Sequence, residues 1–428
     1  MDRKKIIIVG AGLAGLSAAW HLKQKGIECS IFEKESETGG LCHSKHIKGF
    51  TFDYDGHLLH FKGSYVFDLI RDKLSLDISP HQRSSWVYAF KRYIPYPFQA
   101  NLSFLPPRVA KECRNDFIKS QRKAGDGDEN FAVWIRSSFG KGIARHFMEP
   151  YNRKFWKFPL HRISCAWVNG LVPRPSREQI FSGCPEKKAC RIGYNCVFWY
   201  PPKGGIGRLA QAFEKQLGGI NKGCAVKAID IKGKVAELSD GRKEKFDVLI
   251  STVPLPELRK IAYPLPAGVA ECFSLLKWNS VLNVNLGLGN ACHRGKHWVY
   301  FPDKDDIFFR VGFPHNFSGS ATPGKRGSVY VEVSYRNKPI DNSVSIVLKD
   351  LEKNGIIGSR SDVMVRDIND IKYAYPIYDL NYSGARRRII NFFSRRRILL
   401  CGRYGNWRYM SMEDAILDGK RAAEAVNS

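Results

Sequence analysis

The sequence predicts an α/β fold with a dinucleotide-binding domain, and three observations near the N-terminus lead to this prediction. Residues 4–9 (KKIIIV) form a continuous β-branched run, which is typical of a buried parallel strand. The glycine-rich segment 10–15 (GAGLAG) follows directly and opens a helical pattern over 16–25. A second strand pattern over 28–32 ends at the acidic Glu33. This order of elements is the complete fingerprint of a Rossmann-type domain.

The glycines and the acidic residue of this fingerprint each have a physical role. Gly10 permits a tight turn, Gly12 lets the backbone approach a pyrophosphate, and Gly15 lets the helix pack closely on the strand. The free N–H groups and the dipole at the start of the helix stabilise phosphate charge. Glu33 lies 18 residues after Gly15 and is placed to accept hydrogen bonds from ribose hydroxyls.

The segment after Glu33 indicates which dinucleotide is bound. Residues 34–41 contain the glycine pair Gly39 and Gly40 followed by Leu41, and the pattern continues through 49–53 to Gly56 and His57. This extension resembles the amine-oxidase-like flavoproteins, in which the chain passes beside the diphosphate of the cofactor. NAD-dependent dehydrogenases have no need of it. The sequence therefore predicts FAD as the cofactor.

The remaining patterns predict a discontinuous nucleotide domain with two insertions. Alternation over 84–96 and the apolar runs over 278–288 and 329–335 indicate strands of a second, antiparallel sheet, whereas 117–147 has helical periodicity. We assign residues 1–60, 200–255 and 370–428 to the FAD-binding domain. Residues 61–100 and 256–369 form the sheet and substrate domain, and residues 101–199 form a helical insertion. The whole is an α/β chain with an antiparallel-sheet substrate domain.

Charge and cysteine content narrow the possible partners. The formal net charge of +27 favours an anionic partner, either a phosphorylated substrate or an acidic membrane surface contacted peripherally. Nucleic acid is not expected, because the arginine runs 386–388 and 395–397 lack the aromatic residues of RNA-binding motifs. No transmembrane segment is predicted, and the chain opens directly into a strand without a secretory signal.

The eleven cysteines are scattered, which predicts reduced thiols and a cytoplasmic location. Cys184, Cys190 and Cys196 recur every six residues, which is not a zinc-ligand spacing, so no metal site is predicted. Composition leaves the oligomeric state open.

A set of aromatic and proline-rich motifs, in a fixed order, identifies a closer resemblance. They are 93–99 (YIPYPFQ), 150–156 (PYNRKFW), 165–167 (CAW), 200–205 (YPPKGG), 298–302 (WVYFP) and 402–409 (GRYGNWRY). Each motif alone is weak, but together they resemble the UDP-galactopyranose mutases of the larger, eukaryotic type over nearly the whole chain.

This resemblance implies a flavin-dependent isomerase that interconverts the pyranose and furanose forms of a nucleotide sugar, UDP-galactose or a relative. In that family the FAD must be reduced, the reaction has no net redox change, and the sugar is held as a flavin N5 adduct. Such enzymes serve cell-surface polysaccharide biosynthesis. No second dinucleotide fingerprint is present, so the flavin would be reduced in the same cleft, with NAD(P)H as one candidate reductant, or by another protein.

The resemblance also implies roles for individual residues. The uracil would contact Tyr96, Phe98 and Gln99. The nucleotide-sugar channel would be lined by Asn152, Trp156, Asn195 and Trp298. The diphosphate would be held by Tyr300, Arg310, Tyr375 and Tyr409. The flavin would be contacted by His57, Gly402, Arg403 and the helix start at Ser411. Of these, His57, Arg310, Arg403 and Tyr409 are the predicted catalytic residues.

For Arg310 and Trp167 the residues themselves give an argument. Arg310 is flanked by Phe308, Phe309 and Val311, and an unpaired arginine in such a strand is expensive to bury, which predicts an anionic ligand. Trp167, by contrast, is expected to be a plain core aromatic.

The sequence departs from the family at the diphosphate. The family usually binds it with two arginines, and Leu171 stands at the position of the first. We consider Arg174, Arg177 and Lys203 as substitutes. An acidic pair, Glu413 and Asp414, is expected close to the sugar. These changes fit a mutase acting on a different nucleotide sugar as well as they fit galactose.

Two other functions remain open. The first 60 residues fit an FAD-dependent oxidoreductase of the amine oxidase or desaturase type equally well. Such an enzyme has no need of the residues expected at the uridine and the diphosphate. A non-catalytic flavin-binding scaffold that docks on a membrane through its basic surface is the third reading.

Overall fold

The computed structural model describes residues 4–121, 130–165, 167–168, 170–182, 193 and 195–426. Its architecture is mixed α/β, as predicted. Two of the regularly spaced cysteines, Cys184 and Cys190, lie outside the described residues. Within the described part of the chain, no helix is both long and apolar enough to cross a membrane.

A parallel sheet contains the N-terminal strand at its centre. Its strands lie in the order Ile398–Leu400, Val248–Ser251, Ile6–Val9, Ser30–Phe32 and Ile220–Asn221. Every residue of Ile6–Val9 is buried, because helices cover both faces of the sheet. Alternate side chains therefore enter different cores, Ile6 and Ile8 on one face and Ile7 and Val9 on the other.

Helices and a small meander complete this part of the molecule. Helix Leu13–Gln24 packs on one face against helices Gly207–Leu217 and Met412–Glu424. The other face is covered by Leu255–Ile261, Ala267–Ser274 and Tyr382–Ser394. The meander comprises Val226–Asp230, Val235–Leu238, Lys243–Lys245 and Ala262–Tyr263.

The second layer is a larger, mostly antiparallel sheet. Its strands lie in the order Val363–Ile377, Lys277–Leu288, Gly327–Tyr335, Arg310–Gly312, Trp298–Tyr300, Ser85–Ala89 and Arg92–Pro95. Trp298–Tyr300 and Ser85–Ala89 pair in parallel. Helix Ser343–Lys353 covers one side of the sheet through Val347 and Leu351.

The helical layer comes from the middle of the chain. It contains helices Pro107–Gln121, Phe131–Ile143 and Glu149–Trp156, with a π-helical turn at Ala144–Met148. Asn130 caps the second of these helices by accepting a hydrogen bond from the Val133 N–H. The shorter strands form the hairpin Ser44–Ile47/Phe50–Asp53 and the antiparallel pair Ser79–Gln82/Val197–Tyr200. Short helices and helical turns lie at Ser64–Asp68, Leu69–Lys73, Phe98–Ala100, Leu102–Phe104, Leu160–Arg162, Arg177–Ser182, Pro314–Asn316, Arg360–Asp362 and Gly402–Gly405.

The domain limits drawn from the sequence differ from these elements at two places. Strand Val363–Ile377 runs through the limit placed at residue 370, so its last part belongs to the antiparallel sheet. Val66, Leu69 and Ile70 fall in the segment given to the substrate domain but pack into the core of the nucleotide side. Composition shifts cannot locate such limits, because a domain crossing need not interrupt an element.

A buried lysine joins the helical layer to the antiparallel sheet. Lys154, on helix Glu149–Trp156, donates from Nζ to the carbonyl of Phe301 at 2.8 Å and of Phe308 at 3.0 Å. These carbonyls lie on the connection between strands Trp298–Tyr300 and Arg310–Gly312. Burial lowers the pKa of Lys154 to about 8, although Asp306 and Asp303 oppose the shift.

We expect Lys154→Met to lower the free energy of unfolding by about 2 kcal/mol at pH 7, because two buried carbonyls lose their donor. The unfolded chain holds the lysine proton up to about pH 10.5 and the folded protein only to about pH 8. Wild-type stability relative to the variant should therefore rise between these values, by about 1.4 kcal/mol per pH unit. Urea unfolding followed by circular dichroism at pH 7 to 10 measures this, with the exposed Lys338→Met as control. A difference that stays flat over this range would contradict it.

Candidate functional site

A large cavity of about 1510 Å³ lies where the three layers meet. The ends of the parallel strands reach it through Val9, Glu33, Thr252 and Cys401. The antiparallel sheet and helix Glu149–Trp156 form its other walls. In open α/β sheets, ligands bind at this edge, outside the carboxyl ends of the strands.

The glycine loop has a different constraint at each glycine. Gly10 has φ +98°, and a Cβ there would lie 2.2 Å from Thr252 Oγ1. A Cβ on Gly15 would lie 2.0 Å from the Gly10 carbonyl oxygen, so helix and strand pack without room for a side chain. Gly12 differs, because the nearest atom to its Cβ position is 3.9 Å away and the residue lines the cavity. The free space at Gly12 is the space that a bound diphosphate would need.

The acidic residue at the end of the second strand is fixed by backbone donors. Glu33 Oε2 accepts a hydrogen bond from the Ala11 N–H at 2.7 Å, and Oε1 accepts one from the Glu35 N–H at 3.0 Å. Each carboxylate oxygen has a second acceptor position, and Glu33 lines the cavity. The carboxylate thus ties the glycine loop to the second strand and can still accept from a ribose.

Beside the glycine loop lies the predicted glycine pair. Gly39 and Gly40 have positive φ angles of +108° and +58°, and both line the cavity with Leu41. The Gly39 N–H donates to the Ala11 carbonyl at 2.8 Å, which joins the two loops.

Part of the cavity lining near the glycine loop was not predicted from the sequence. Val226 and Lys227, on the meander, and Val253 and Pro254, after the strand Val248–Ser251, also line the cavity. Their positions are far from the glycine fingerprint in the chain, and no motif marks them.

The residues predicted beside the flavin surround the middle of the cavity. Gly56, His57, Gly402, Arg403 and Ser411 all line it. Ser411 is the N-cap of helix Met412–Glu424, and its side chain accepts from the Asp414 N–H, so the helix start faces the cavity. Burial lowers the pKa of His57, Asp55 opposes this, and Arg403 adds to it. His57 is therefore neutral at pH 7.

Arg403 lies in an aromatic cage. Its guanidinium carbon is 4.8 Å from the ring centre of Tyr375 and 4.9 Å from that of Tyr409, and these two rings stack on each other at 6.0 Å. Arg403 Nη2 donates to the Ala374 carbonyl at 2.5 Å. Tyr300 lies on the same side of the cavity, 5.1 Å from Tyr96. Cation–π contact and the carbonyl fix the direction of the guanidinium.

Two side-chain amides that line the cavity each have one atom hydrogen-bonded to the protein. Gln99 Nε2 donates to the Pro173 carbonyl at 2.8 Å, and Oε1 is buried without a partner among the described residues. Arg83 Nη1 donates to Asn195 Oδ1, which leaves the Asn195 amide nitrogen as donor. Gln99 and Asn195 both line the cavity. Arg83, which the sequence analysis missed, also lies over the ring of Tyr96 at 5.0 Å.

The structure differs from the prediction for Phe98. It was expected to contact the uracil, but it is fully buried in the helical layer, where it stacks on Phe147 at 4.9 Å. The helical turn Phe98–Ala100 directs Gln99 to the cavity and Phe98 away from it. Asn152 and Trp156 do line the cavity, but Asn152 Nδ2 is used by the Met148 carbonyl of its own helix at 2.7 Å.

The structure also differs from the prediction for Arg310. The absence of a sequence-local partner predicted an anionic ligand, but the structure supplies carboxylates from the protein. Arg310 donates to Glu332 through Nε and, at 2.8 Å, through Nη2, and Asp55 Oδ1 is 3.6 Å from Nη2. Burial disfavours its charge, yet Glu332, Tyr330 and Asp55 outweigh this and raise the pKa of Arg310. Arg310 stays charged, but its charge is already balanced.

The expected substitutes for the missing arginine do not reach the site. Leu171 lines the cavity, whereas Arg174, Arg177 and Lys203, all within the described part of the chain, are not among its lining residues. Arg174 instead lies over Trp134 at 4.7 Å.

Glu413 and Asp414, the acidic pair expected near the sugar, are bonded to other parts of the protein. Glu413 accepts from the N–H groups of Lys62 and Gly63, and Asp414 caps the helix start and pairs with Lys62 at 3.0 Å. Both are thus engaged in fixing the start of helix Met412–Glu424.

Several cavity residues have a buried polar atom without a partner in the described part of the chain. They are His57 Nδ1, Gln99 Oε1, Trp156 Nε1, Trp167 Nε1, Trp298 Nε1, Arg403 Nε and Tyr404 Oη. Buried polar atoms are normally paired, so these atoms indicate a ligand site. The structure differs from the prediction for Trp167 too, because Trp167 lines the cavity beside Trp156 at 5.1 Å and is not only a core residue.

Comparison with known proteins places this fold and cavity in a family. The family described as flavin containing amine oxidoreductase matches residues 13–427. The chain belongs to this family and is an FAD-dependent enzyme of the amine oxidase superfamily. The structure of a reduced UDP-galactopyranose mutase is similar with a TM-score of 0.92 and 28% identity, covering 99% of this chain and 95% of that chain. This confirms the resemblance predicted from the motifs.

Curated relatives found by sequence include carotenoid desaturases and protoporphyrinogen oxidases, and the matches are short. A 1-hydroxycarotenoid 3,4-desaturase of Flavobacterium sp. (strain P99-3) is 50% identical over 50 residues, which is 12% of this chain and 10% of the relative. A 4,4'-diapophytoene desaturase of Methylomonas sp is 48% identical over 162 residues, 36% of this chain and 26% of the relative. The matches thus span only a tenth to about a quarter of these relatives.

Gly12→Ala and Gly15→Ala should separate cofactor binding from folding. The Gly12 methyl meets no close protein atom, so the variant should fold with an unchanged melting temperature but bind FAD about tenfold or more weakly. The Gly15 methyl would overlap the Gly10 carbonyl, so that variant should lose both stability and FAD. Flavin absorbance per protein and thermal unfolding of the FAD-free protein measure the two effects. Full FAD affinity in Gly12→Ala would contradict the assignment of this loop to the diphosphate.

Proposed function

We propose that this protein is a flavin-dependent mutase that interconverts the pyranose and furanose forms of a nucleotide sugar, UDP-galactose or a relative. The observation that carries the proposal is the similarity to UDP-galactopyranose mutase along nearly the whole of both chains. The cavity supports the proposal, because its lining includes the glycine loop, Arg403 and the side-chain amides of Gln99 and Asn195.

The residues present fit FAD. The open space at Gly12, the fixed carboxylate of Glu33 and the glycine pair Gly39 and Gly40 would hold its adenosine and diphosphate. His57 and the start of helix Met412–Glu424 would adjoin its ring, where a helix dipole stabilises the negative charge of reduction. When reduced, a bound flavin supplies the nucleophilic chemistry at the anomeric carbon.

The two held amides complement the edge of a uracil. A uracil presents one N–H donor beside carbonyl acceptors. Gln99 offers an acceptor to the cavity and Asn195 a donor, because each has its other atom engaged by the protein. Tyr96 would pack against the base, with Arg83 behind its ring.

The diphosphate would be bound chiefly by Arg403 and the hydroxyls of Tyr300, Tyr375 and Tyr409. Burial raises the pKa of Tyr375, so that hydroxyl is a donor at neutral pH. Arg310 contributes less than a free arginine would, since Glu332 already occupies two of its N–H groups. With Leu171 in place of a second arginine, this site should hold the diphosphate less tightly than a two-arginine site.

An oxidoreductase of the desaturase or amine oxidase type is the second candidate. The curated relatives support it by their names. It would use the same flavin site, but it gives no reason for the two oriented amides or the arginine in its tyrosine cage.

We extend the proposal to the setting of the enzyme. A mutase of this kind would act in the cytoplasm, in cell-surface polysaccharide biosynthesis, with peripheral membrane contact through its basic surface. NAD(P)H or a reductase would supply the electrons. The tripartite domain division drawn from the sequence would separate flavin binding from substrate binding.

The direct test is conversion by the reduced enzyme. We expect FAD-loaded protein, reduced with dithionite or NADPH without air, to convert UDP-galactofuranose to UDP-galactopyranose, as followed by chromatography. The oxidised protein should not convert it, because only reduced flavin is nucleophilic. If no nucleotide sugar is converted while the oxidised protein consumes oxygen with an amine or alcohol, the oxidoreductase is correct instead.

Arg403→Lys should lower kcat/KM about 100-fold, because an ammonium group cannot replace the planar guanidinium held between tyrosines and a carbonyl. Flavin content should not change. Arg396→Lys is the matched control, since Arg396 also lies over an aromatic ring, Phe392 at 3.8 Å, but outside the cavity lining. Equal losses in the two variants would show that Arg403 has no special role.

A further inference from the structure

Asp55 and Arg310 line one wall of the cavity, and Glu332 lies behind them in contact with Arg310. Glu332 is fully buried on strand Gly327–Tyr335, directly opposite Arg310 on the neighbouring strand. Asp55 lines the cavity, 3.6 Å from Arg310 Nη2. The guanidinium of Arg310 thus lies between the two carboxyls, because it donates to Glu332 through Nε and Nη2 and has Asp55 beside Nη2.

The charges of this group do not balance unless a proton is present. Two ionised carboxylates and one arginine would leave one net negative charge in a buried place, which is costly. Burial raises the pKa of Glu332 well above its usual range, Arg310 opposes this, and Asp55 adds to it. Adjacent carboxyls that titrate together hold their proton as a pair, as in other carboxyl dyads.

Among the residues that the structure describes, Arg310 is the cation in salt-bridge contact with the two carboxyls. The titratable side chains that interact with Asp55, Glu332 or Arg310 are four tyrosines and one histidine: Tyr151, Tyr330, Tyr375, Tyr404 and His57. His57 Nδ1 and Tyr404 Oη, near Asp55, are buried without partners in the described ranges.

The position of Asp55 is tightly fixed. It has φ +74°, and its Oδ1 accepts from the Gly56 N–H at 2.6 Å. A Cβ on Gly56 would lie 2.5 Å from Tyr330 Oη, so the loop cannot shift toward the sheet. A residue held in a left-handed conformation beside a ligand cavity is where functional strain is expected.

We propose that Asp55 and Glu332 share one proton and form the acid–base group for opening and closing the sugar ring, with Asp55 facing the sugar. This inference rests on the proposed mutase function. Asp55 is the catalytic residue of the pair, and Glu332 positions Arg310 and stores the charge.

The proton count of the reaction closes on this pair. When the C1–O5 bond of a hexopyranose breaks, its electrons stay on O5, which takes the proton of the pair. When O4 then bonds to C1 through its own electron pair, the O4 proton returns to the carboxylates. One proton is given and one recovered, and nothing is oxidised or reduced. Arg310 stabilises the doubly ionised pair between the two steps.

Asp55→Asn separates this role from substrate binding. UDP-galactose carrying ¹⁸O between C1 and the diphosphate reports cleavage and re-formation of that bond by positional exchange, which needs no proton. In the reduced variant we expect isomerisation to fall about 100-fold or more, and positional exchange to stay within about threefold of wild type. Asp341→Asn, on the exposed surface, is the control and should change neither rate. The proposal would be overturned if Asp55→Asn lowered isomerisation and positional exchange equally, or if it lowered neither rate.

Infrared spectroscopy tests the shared proton without turnover. FAD-loaded wild type at pH 7 should show a protonated-carboxyl band that is missing in Asp55→Asn. A wild type without such a band would overturn the inference even if the mutase is correct. If the band is present but wild type shows neither isomerisation nor positional exchange with any nucleotide sugar, the proposed function fails and the acid–base role fails with it.

Discussion

The contact between Gly15 on the first helix and the carbonyl of Gly10 on the turn before it sets the geometry of the whole molecule. There is no room for a side chain between them, so the helix begins immediately at the end of the central strand. This aims its N-terminus at the cavity and places it against helix Met412–Glu424, where a Cβ on Gly419 would lie 2.4 Å from the Ala14 carbonyl oxygen. Both helix starts therefore point their dipoles into the same cavity from different ends of the sequence.

Much of the fold follows from local sequence. The β-branched strand, the glycine fingerprint and the apolar runs of the antiparallel sheet are periodic features that neighbouring residues determine. Sequence motifs also marked Tyr96, Gln99, Arg403 and Ser411, which line the cavity. The roles of Arg310, Phe98 and Trp167 were not predictable, because they depend on which residues distant in the chain lie opposite. Glu332 is 22 residues from Arg310 and meets it only through strand register.

The strand register places Glu332 opposite Arg310 and so changes the charge that the cavity presents to a ligand. Because Arg310 is neutralised by its own sheet, the cavity depends on Arg403 as its main unbalanced cation near the predicted sugar. The missing arginine at Leu171 and the balanced Arg310 both reduce the attraction for diphosphate. Specificity would then come more from the oriented amides and the tyrosines, which are rigid and neutral.

A crystal structure of the reduced protein with FAD and UDP would show whether one cavity holds a flavin and a uridine nucleotide together. We expect the FAD diphosphate at Gly12, the uracil edge against Gln99 Oε1 and the Asn195 amide nitrogen, and the UDP diphosphate beside Arg403. A uracil bound elsewhere, or a cavity that excludes UDP and accepts an apolar polyene in its place, would contradict this expectation.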